Sequence, residues 1–109
     1  MISEPDAVWI DTDETGFIVD WGPGALALTG YSARGTMGRE LPMMIVENRP
    51  RITELVAVAR GGVLDGSAVI RPHDRRGIPV QFHVALTTAR ADRPLLRWTF
   101  RVVRDSRES

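Results

Sequence analysis

The sequence has no cysteine and no net charge. Without cysteine there are no disulfides, no thiolate metal sites and no cysteine nucleophile, so a metal would depend on the two histidines and the carboxylates. Fourteen arginines balance fourteen acidic residues and lysine is absent, which leaves no overall field to attract nucleic acid or an anionic membrane. No apolar run approaches the roughly 20 residues of a membrane span, and the acidic N-terminus does not resemble a secretion signal. These absences predict a cytoplasmic protein that binds neither nucleic acid nor membranes.

What the sequence does contain is typical of a globular protein. Its 109 residues are 43% apolar and 26% charged, which is enough apolar material to bury one core. We expect a single domain with its core between about residues 7 and 105, and flexible ends at 1–6 and 106–109.

The first half of the chain predicts a hairpin followed by short helices. Two β-prone runs are Ala7–Asp11 and Phe17–Trp21, and the turn-forming residues Asp13–Gly16 join them. Ala25–Leu28 then predicts a short helix that ends at Gly30. The glycines and the proline between Tyr31 and Asn48 favour short helical turns over long elements.

The second half predicts one longer helix and three strands. After Pro50, apolar residues recur with helical spacing up to Gly61, at Ile52, Leu55, Val56 and Ala59. Three β-prone segments follow in which apolar and polar residues alternate most clearly in the second: Ser67–His73, Ile78–Leu86 and Leu96–Val102. The element order predicts an α+β fold, with a five-stranded antiparallel sheet and its helices on one face.

The inward-facing apolar residues predict either a filled core or an apolar ligand pocket. An empty cavity of ~300 Å³ would cost about 7 kcal/mol, comparable to the whole stability of a domain. A filled core is favoured because the long helix offers no inward polar group to orient a cofactor, although Trp98 could stack on a flavin. The residues concerned are Leu28, Leu41, Ile52, Leu55, Val56, Val80, Phe82, Val84, Trp98 and Phe100.

The N-terminal hairpin supplies a candidate interface. If Ile10 and Ile18 face the helices, alternation turns four large apolar residues to the outside of the sheet: Trp9, Phe17, Val19 and Trp21. An exposed apolar patch usually marks a contact surface, so we expect a homodimer. Arg97 and Arg101, with Arg71 beside them, are expected to form a solvated rim, with binding to an acidic partner as the alternative.

The polar candidates for catalysis or metal binding have simpler interpretations. Alternation turns His83 to the outside of the sheet, and His73 lies at a strand end, so both are expected to be surface residues. Asp11, Asp13 and Glu14 are explained by turn formation. Because no nucleophile, phosphate loop or carboxylate pair stands out, we expect no catalysis and no metal site.

Several motifs, in order, resemble those of the PAS domain, and the resemblance covers residues 7–105. They are Asp13–Ile18, Gly30-Tyr31-Ser32, Gly38-Arg39, the turn His73–Val80 and Arg104-Asp105. The resemblance implies a sensory and interaction module of a signalling protein. In such a module an event in the core, or a partner on the sheet, shifts the strands, and the segment after Arg104-Asp105 passes the change to an effector. The effector is either part of the same larger regulator or a separate protein.

The chain departs from the family pattern at three points: the first removes a polar contact between the hairpin and the first helix, and the other two bear on cofactors. Gly22 stands where many members have an asparagine, and Glu54 lies near the position of the histidine that ligates iron in haem-binding members. Light-sensing members use a cysteine that this chain lacks. Flavin and haem are therefore not favoured, and we expect no cofactor.

Two other functions remain open at this level. One is a sensor with flavin, haem or an apolar metabolite in the core. The other is a small α+β enzyme of the ketosteroid-isomerase-like kind, which would require a carboxylate or histidine on the inner face of the sheet.

Overall fold

The computed structural model describes residues 7–22, 24–73, 76–87 and 94–103. Its strands are β1 Ala7–Thr12, β2 Ile18–Trp21, β3 Ile45–Glu47, β4 Val63–Ile70, β5 Ile78–Thr87 and β6 Leu95–Val102. They form one six-stranded antiparallel sheet in the order β2-β1-β6-β5-β4-β3. The helices are α1 Ala25–Thr29, α2 Ala33–Thr36 and α3 Ile52–Ala59, with a 3₁₀ turn at Leu41–Met44.

This arrangement confirms the predicted α+β fold, with helices packed on one face of an antiparallel sheet. The N-terminal hairpin, the helix that ends at Gly30 and the three C-terminal strands are all present. Gly30 adopts a left-handed conformation, with φ of 79°, and its N–H bonds back to the carbonyl of Leu26 as a helix C-cap.

Two strands differ from the prediction. β4 begins at Val63 rather than Ser67, because the chain enters the sheet directly after the glycines that end α3. β3 was not predicted, so the sheet has six strands instead of five. Its three residues are too few to show an alternating pattern, and only the pairing of Ile45 with Ile70 and of Glu47 with Val69 defines it.

The core fills the space between the helices and one face of the sheet. Phe82 and Phe100 are cross-strand partners in the row next to Trp98, with ring centroids 6.2 and 6.0 Å from the Trp98 ring. Trp98 is fully buried, and its indole Nε1–H donates to the hydroxyl of Thr12 at 2.9 Å. Leu55 and Val58 of α3 cover these rings as part of the same buried cluster.

The buried side of α3 differs from the prediction at its first turn. Leu55 and Val58 are buried and Val56 is half-buried, but Ile52 is 53% exposed. At about 100° per residue, the buried side is centred between positions 55 and 58, and position 52 lies roughly 90° from that centre. The prediction that Ile52 faces the interior is therefore wrong.

Some expectations fall outside the described residues. These are the flexible ends, the turn residues Asp74 and Arg75, and the Arg104-Asp105 pair. Among the residues that are described, the longest helix has eight residues, so no described helix could cross a membrane.

Candidate functional site

The face of the sheet that points away from the helices, called here the outer face, is the surface expected to contact a partner. Cross-strand partners share a face, and two neighbouring rows of partners form its centre. One row contains Trp9, Thr99, His83 and Asp65. The other contains Asp20, Asp11, Arg97, Ala85 and Val63. The outer face is therefore largely polar, with charges of both signs.

Trp9 is the large aromatic residue of this face, and it is packed between two neighbours. The guanidinium of Arg97 lies over its ring, 4.2 Å from the centroid. Gly22 lies against the same ring, since a Cβ at Gly22 would come within 2.7 Å of it. Trp9 is consequently half-buried rather than fully exposed.

Arg97 also binds Asp11 through a two-point ion pair. Its Nε and Nη2 donate to Oδ1 and Oδ2 of Asp11 at 2.8 and 3.0 Å. The hydrogen bond to Asp11 raises the pKa of Arg97 above its ordinary value, with help from the charges of Asp11 and Asp20 and against a lowering by burial. Trp9, Arg97 and Asp11 thus form one connected unit on β1 and β6.

His83 faces outward as predicted and has an acidic partner. Its Nδ1 lies 2.5 Å from Oδ1 of Asp65 on the adjacent strand β4, and both side chains are exposed. His73 is exposed too, and its ring stacks on Tyr31 at 5.1 Å between centroids. The two histidines have different neighbours, and within the part of the chain that the structure describes no group of three metal-binding side chains occurs.

The prediction that Trp21 lies on the outer face is wrong. Thr12 pairs with Ile18 and Asp11 pairs with Asp20, so Val19 is an extra residue in a β-bulge. The bulge shifts the alternation by one residue, and Trp21 pairs with the buried Ile10 on the inner face. Trp21 packs against the core, and its Nε1–H donates to the carbonyl of Tyr31 at 3.1 Å.

The other two predicted interface residues are not beside Trp9 either. Val19 lies in the bulge and is half-buried. Phe17 is 40% exposed and forms an isolated bridge with Glu40, bordering a groove at the edge of β2. The four residues therefore do not form the continuous apolar patch that was expected.

The predicted arginine rim also has a different arrangement. Arg97 is half-buried in its ion pair, so it is not a solvated rim residue. Arg101 is exposed on the outer face. Arg71 follows the end of β4, where its N–H donates to the carbonyl of Met44, and it borders the same groove as Phe17. It does not stand beside the other two.

The predicted pocket residues come together as a filled core, apart from the exposed Ile52. Leu28, Leu41, Leu55, Val80, Phe82, Val84, Trp98 and Phe100 are buried in one cluster, with Val56 half-buried. The Phe82 ring also covers the sheet at Gly66, where an added Cβ would meet it at 2.9 Å. These side chains pack against one another in the interior, and a cleft of about 270 Å³ lies beside Phe82 and Gly66.

Neither flavin nor haem fits these residues. The sequence has no cysteine to react with a flavin, and α3 carries no histidine to ligate a haem iron. In the described ranges every buried side-chain nitrogen or oxygen already has a hydrogen-bond partner. No buried polar group there is left to orient a cofactor.

Turn formation was expected to explain Asp11, Asp13 and Glu14, but it does not explain Asp11. Asp13 does form the turn, because its carboxylate accepts hydrogen bonds from Thr15 and from the N–H of Phe17. Asp11 is instead the buried partner of Arg97, 2% exposed. Its position on a strand among apolar residues was the signal for a buried charge that needs a partner.

The sequence pattern of the PAS fold matches residues 3–103. The chain belongs to the PAS family. PAS domains are sensory and interaction modules of signalling proteins and are generally non-catalytic. No curated protein matches the chain significantly.

Solved PAS domains share this fold at low sequence identity. The PAS domain of an HTR-like protein from Haloarcula marismortui has a TM-score of 0.77 and 14% identity, covering 89% of this chain and 86% of that one. That of the nitrogen regulation protein NR(II) from Vibrio parahaemolyticus has a TM-score of 0.70 and 18% identity, covering 89% of both chains. The RpfR quorum-sensing receptor PAS domain from Cronobacter turicensis, in complex with BDSF, has a TM-score of 0.70 and 14% identity, covering 95% of this chain and all of that one.

Proposed function

We propose that this PAS domain is non-catalytic and signals by contact of its outer face with a second copy of the chain. The observation that carries the proposal is the composition of that face. Charges of both signs lie in two adjoining rows around Trp9, and His83, Asp65 and Gln81 are exposed.

A face of this kind can pair with itself. In a two-fold contact the same surface occurs on both subunits, so each positive group can meet a negative group of the other copy. Arg97 lies near the middle of the face, while Asp20 and Asp65 lie toward its two margins. Trp9 supplies the aromatic contact area that often contributes strongly to such interfaces.

Neither alternative function gains support from the interior. An enzyme of the ketosteroid-isomerase-like kind requires an inward carboxylate or histidine. The buried polar residues of the described ranges are Asp11, on the outer face, and three threonines. A ligand sensor with its ligand in the core requires space that Phe82 and its neighbours fill. BDSF is bound by the Cronobacter domain, and the buried cluster of this chain does not favour a similar ligand in its core.

Sedimentation velocity tests the proposal. We expect the wild-type protein to dimerise at concentrations up to about 1 mM, the range of a weak contact. Trp9→Arg and Gln81→Arg should reduce the dimer at least about tenfold, because each adds an unpaired charge to the outer face. Gln81 is exposed, so its substitution should leave folding intact even if Trp9→Arg does not.

Leu26→Arg is the matched control. Leu26 is 53% exposed on α1, away from the outer face, and the change also adds one positive charge to an exposed position. We expect this variant to dimerise like the wild type. A monomeric wild type, or equal effects of Gln81→Arg and Leu26→Arg, would refute the proposal.

A further inference from the structure

A groove lies at the edge of β2 that does not pair with β1. It has no role in the proposed contact. It is bordered by Phe17 before β2, by Tyr31 before α2 and by Arg71 after β4. Its volume is about 690 Å³. That volume falls within the range of about 300–1,000 Å³ found for small-molecule sites. We call it the Arg39–Arg71 groove, after the two arginines on its walls.

The groove has an apolar and aromatic lining. Phe17 is 40% exposed, and Tyr31 is half-buried with its ring stacked on His73. Met44 is half-buried and packs against the core, so it forms a firm part of the wall. These side chains offer a surface for the apolar body of a ligand.

The backbone around the groove is held by hydrogen bonds between separate segments. The carbonyl of Arg39 accepts from the N–H of Ile18 at 2.8 Å, which attaches this wall to β2. On the other side, the N–H of Arg71 donates to the carbonyl of Met44 at 2.9 Å. The backbone of both arginines is therefore fixed before any ligand binds. This lowers the entropic cost of binding.

The charged groups of the groove are available to a ligand. Arg39, Glu40 and Arg71 are exposed, and among the described residues none of their side chains forms an ion pair or a hydrogen bond. Arg97 shows the contrast, because the Nε and Nη2 of its guanidinium donate to Asp11. Two guanidinium groups against one carboxylate leave the groove with one excess positive charge.

From this combination we propose that the Arg39–Arg71 groove binds a small organic carboxylate with an apolar body. The carboxylate would accept hydrogen bonds from the guanidinium groups of Arg39 and Arg71, which suit its planar geometry. The apolar body would lie against Phe17, Tyr31 and Met44. This site is separate from the core and from the outer face, so it stands independently of dimerisation.

Titration of ¹⁵N-labelled protein followed by NMR tests the site. The probes are phenylacetate and octanoate, with 2-phenylacetamide as the uncharged counterpart of phenylacetate. We expect at least one acid to cause saturable shifts at the amides of Phe17, Tyr31, Arg39 and Arg71, and the amide probe to bind about tenfold more weakly than phenylacetate if phenylacetate binds.

Substitutions identify the charges that act on the acid. Arg39→Gln and Arg71→Gln should each weaken binding about tenfold, the scale of one lost charge-assisted hydrogen bond. Glu40→Gln should strengthen binding a few-fold by removing a like charge. Arg60→Gln, at an exposed arginine just after α3, is the control and should leave binding unchanged.

Two results would overturn the proposal. One is the absence of saturable shifts with both acids up to about 10 mM, the weak limit of specific binding. The other is binding that Arg39→Gln and Arg71→Gln do not weaken more than Arg60→Gln does. The variant Gln81→Arg, in which the dimer is expected to be weakened, should bind the acid like the wild type, so failure at this groove and failure of dimerisation are distinguishable.

Discussion

Arg97 on β6 binds Asp11 on β1 through both carboxylate oxygens, but the two side chains lie in different environments. The Asp11 side chain is 3% exposed, whereas that of Arg97 is 42% exposed. The Arg97 guanidinium contacts both oxygens of the carboxylate, and it also lies over the Trp9 ring. Loss of the arginine would therefore leave a buried charge without a partner, while loss of the acid would leave a cation that water can reach.

This asymmetry predicts unequal effects of two conservative substitutions. Arg97→Gln should lower the free energy of unfolding by about 2 kcal/mol, below the 3–5 kcal/mol range for fully buried pairs because Arg97 is partly exposed. Asp11→Asn keeps one acceptor and should cost about 1 kcal/mol. Urea unfolding measures both values. Equal costs, or a larger cost for Asp11→Asn, would contradict the environments described here.

The pair of His83 and Asp65 should behave differently, because both of its side chains are exposed. A double-mutant cycle with His83→Gln and Asp65→Asn should give a coupling energy below about 1 kcal/mol at neutral pH. Thermal unfolding of the four proteins provides the measurement. A coupling well above that value would mean that the pair is shielded from water, for example within a dimer.

The contact between Trp9 and Gly22 predicts the effect of a single methyl group. In Gly22→Ala the new Cβ would lie 2.4 Å from the carbonyl oxygen of Trp9 and 2.7 Å from its ring. Both atoms belong to a strand or to a packed side chain, so the structure must shift to make room. We expect the free energy of unfolding to fall by about 2 kcal/mol, as for other overpacked sites.

Gly35→Ala is the control for this substitution. The nearest atom to a Cβ there is the hydroxyl oxygen of Ser32 at 3.5 Å, an ordinary contact, and Gly35 lies within α2. Alanine favours helix over glycine, so we expect unchanged or slightly raised stability. If the two variants have the same free energy of unfolding, the close contact between Gly22 and Trp9 described here is contradicted.

Much of the fold could be predicted from local patterns. In β5 each apolar residue from Ile78 to Val84 alternates with a polar or small one, and the sheet keeps that alternation, with Val80 and Val84 buried and His83 exposed. An alternating pattern predicts which side chains are buried, because successive side chains of a strand point to opposite faces of the sheet. The buried rings of the core were predicted for the same reason.

The candidate site depended on features that no local pattern contains. One extra residue at Val19 reverses the face of Trp21, and only the register with β1 reveals it. The ion pair on the outer face joins Asp11 to Arg97 across 86 positions of the chain. The groove is likewise assembled from three separated segments, so Arg39 and Arg71 could not be placed together from the sequence.

The filled interior predicts that removing the ring of a buried phenylalanine lowers the free energy of unfolding more than removing the ring of a surface phenylalanine. Phe82 is 7% exposed and contacts Trp98, so Phe82→Ala should lower the free energy of unfolding by about 3–5 kcal/mol. Phe17 is 40% exposed, and Phe17→Ala should cost less than about 1 kcal/mol. Urea unfolding of the two variants compares the same chemical change at both sites.

A small cost for Phe82→Ala would have a consequence beyond stability. It would mean that the ring does not fill the interior, and that water or a ligand already occupies space beside it. A sensor with its ligand in the core would then regain support, and native mass spectrometry of the wild type should detect the bound molecule. With a filled core, we expect the mass of the polypeptide alone and no visible absorption band.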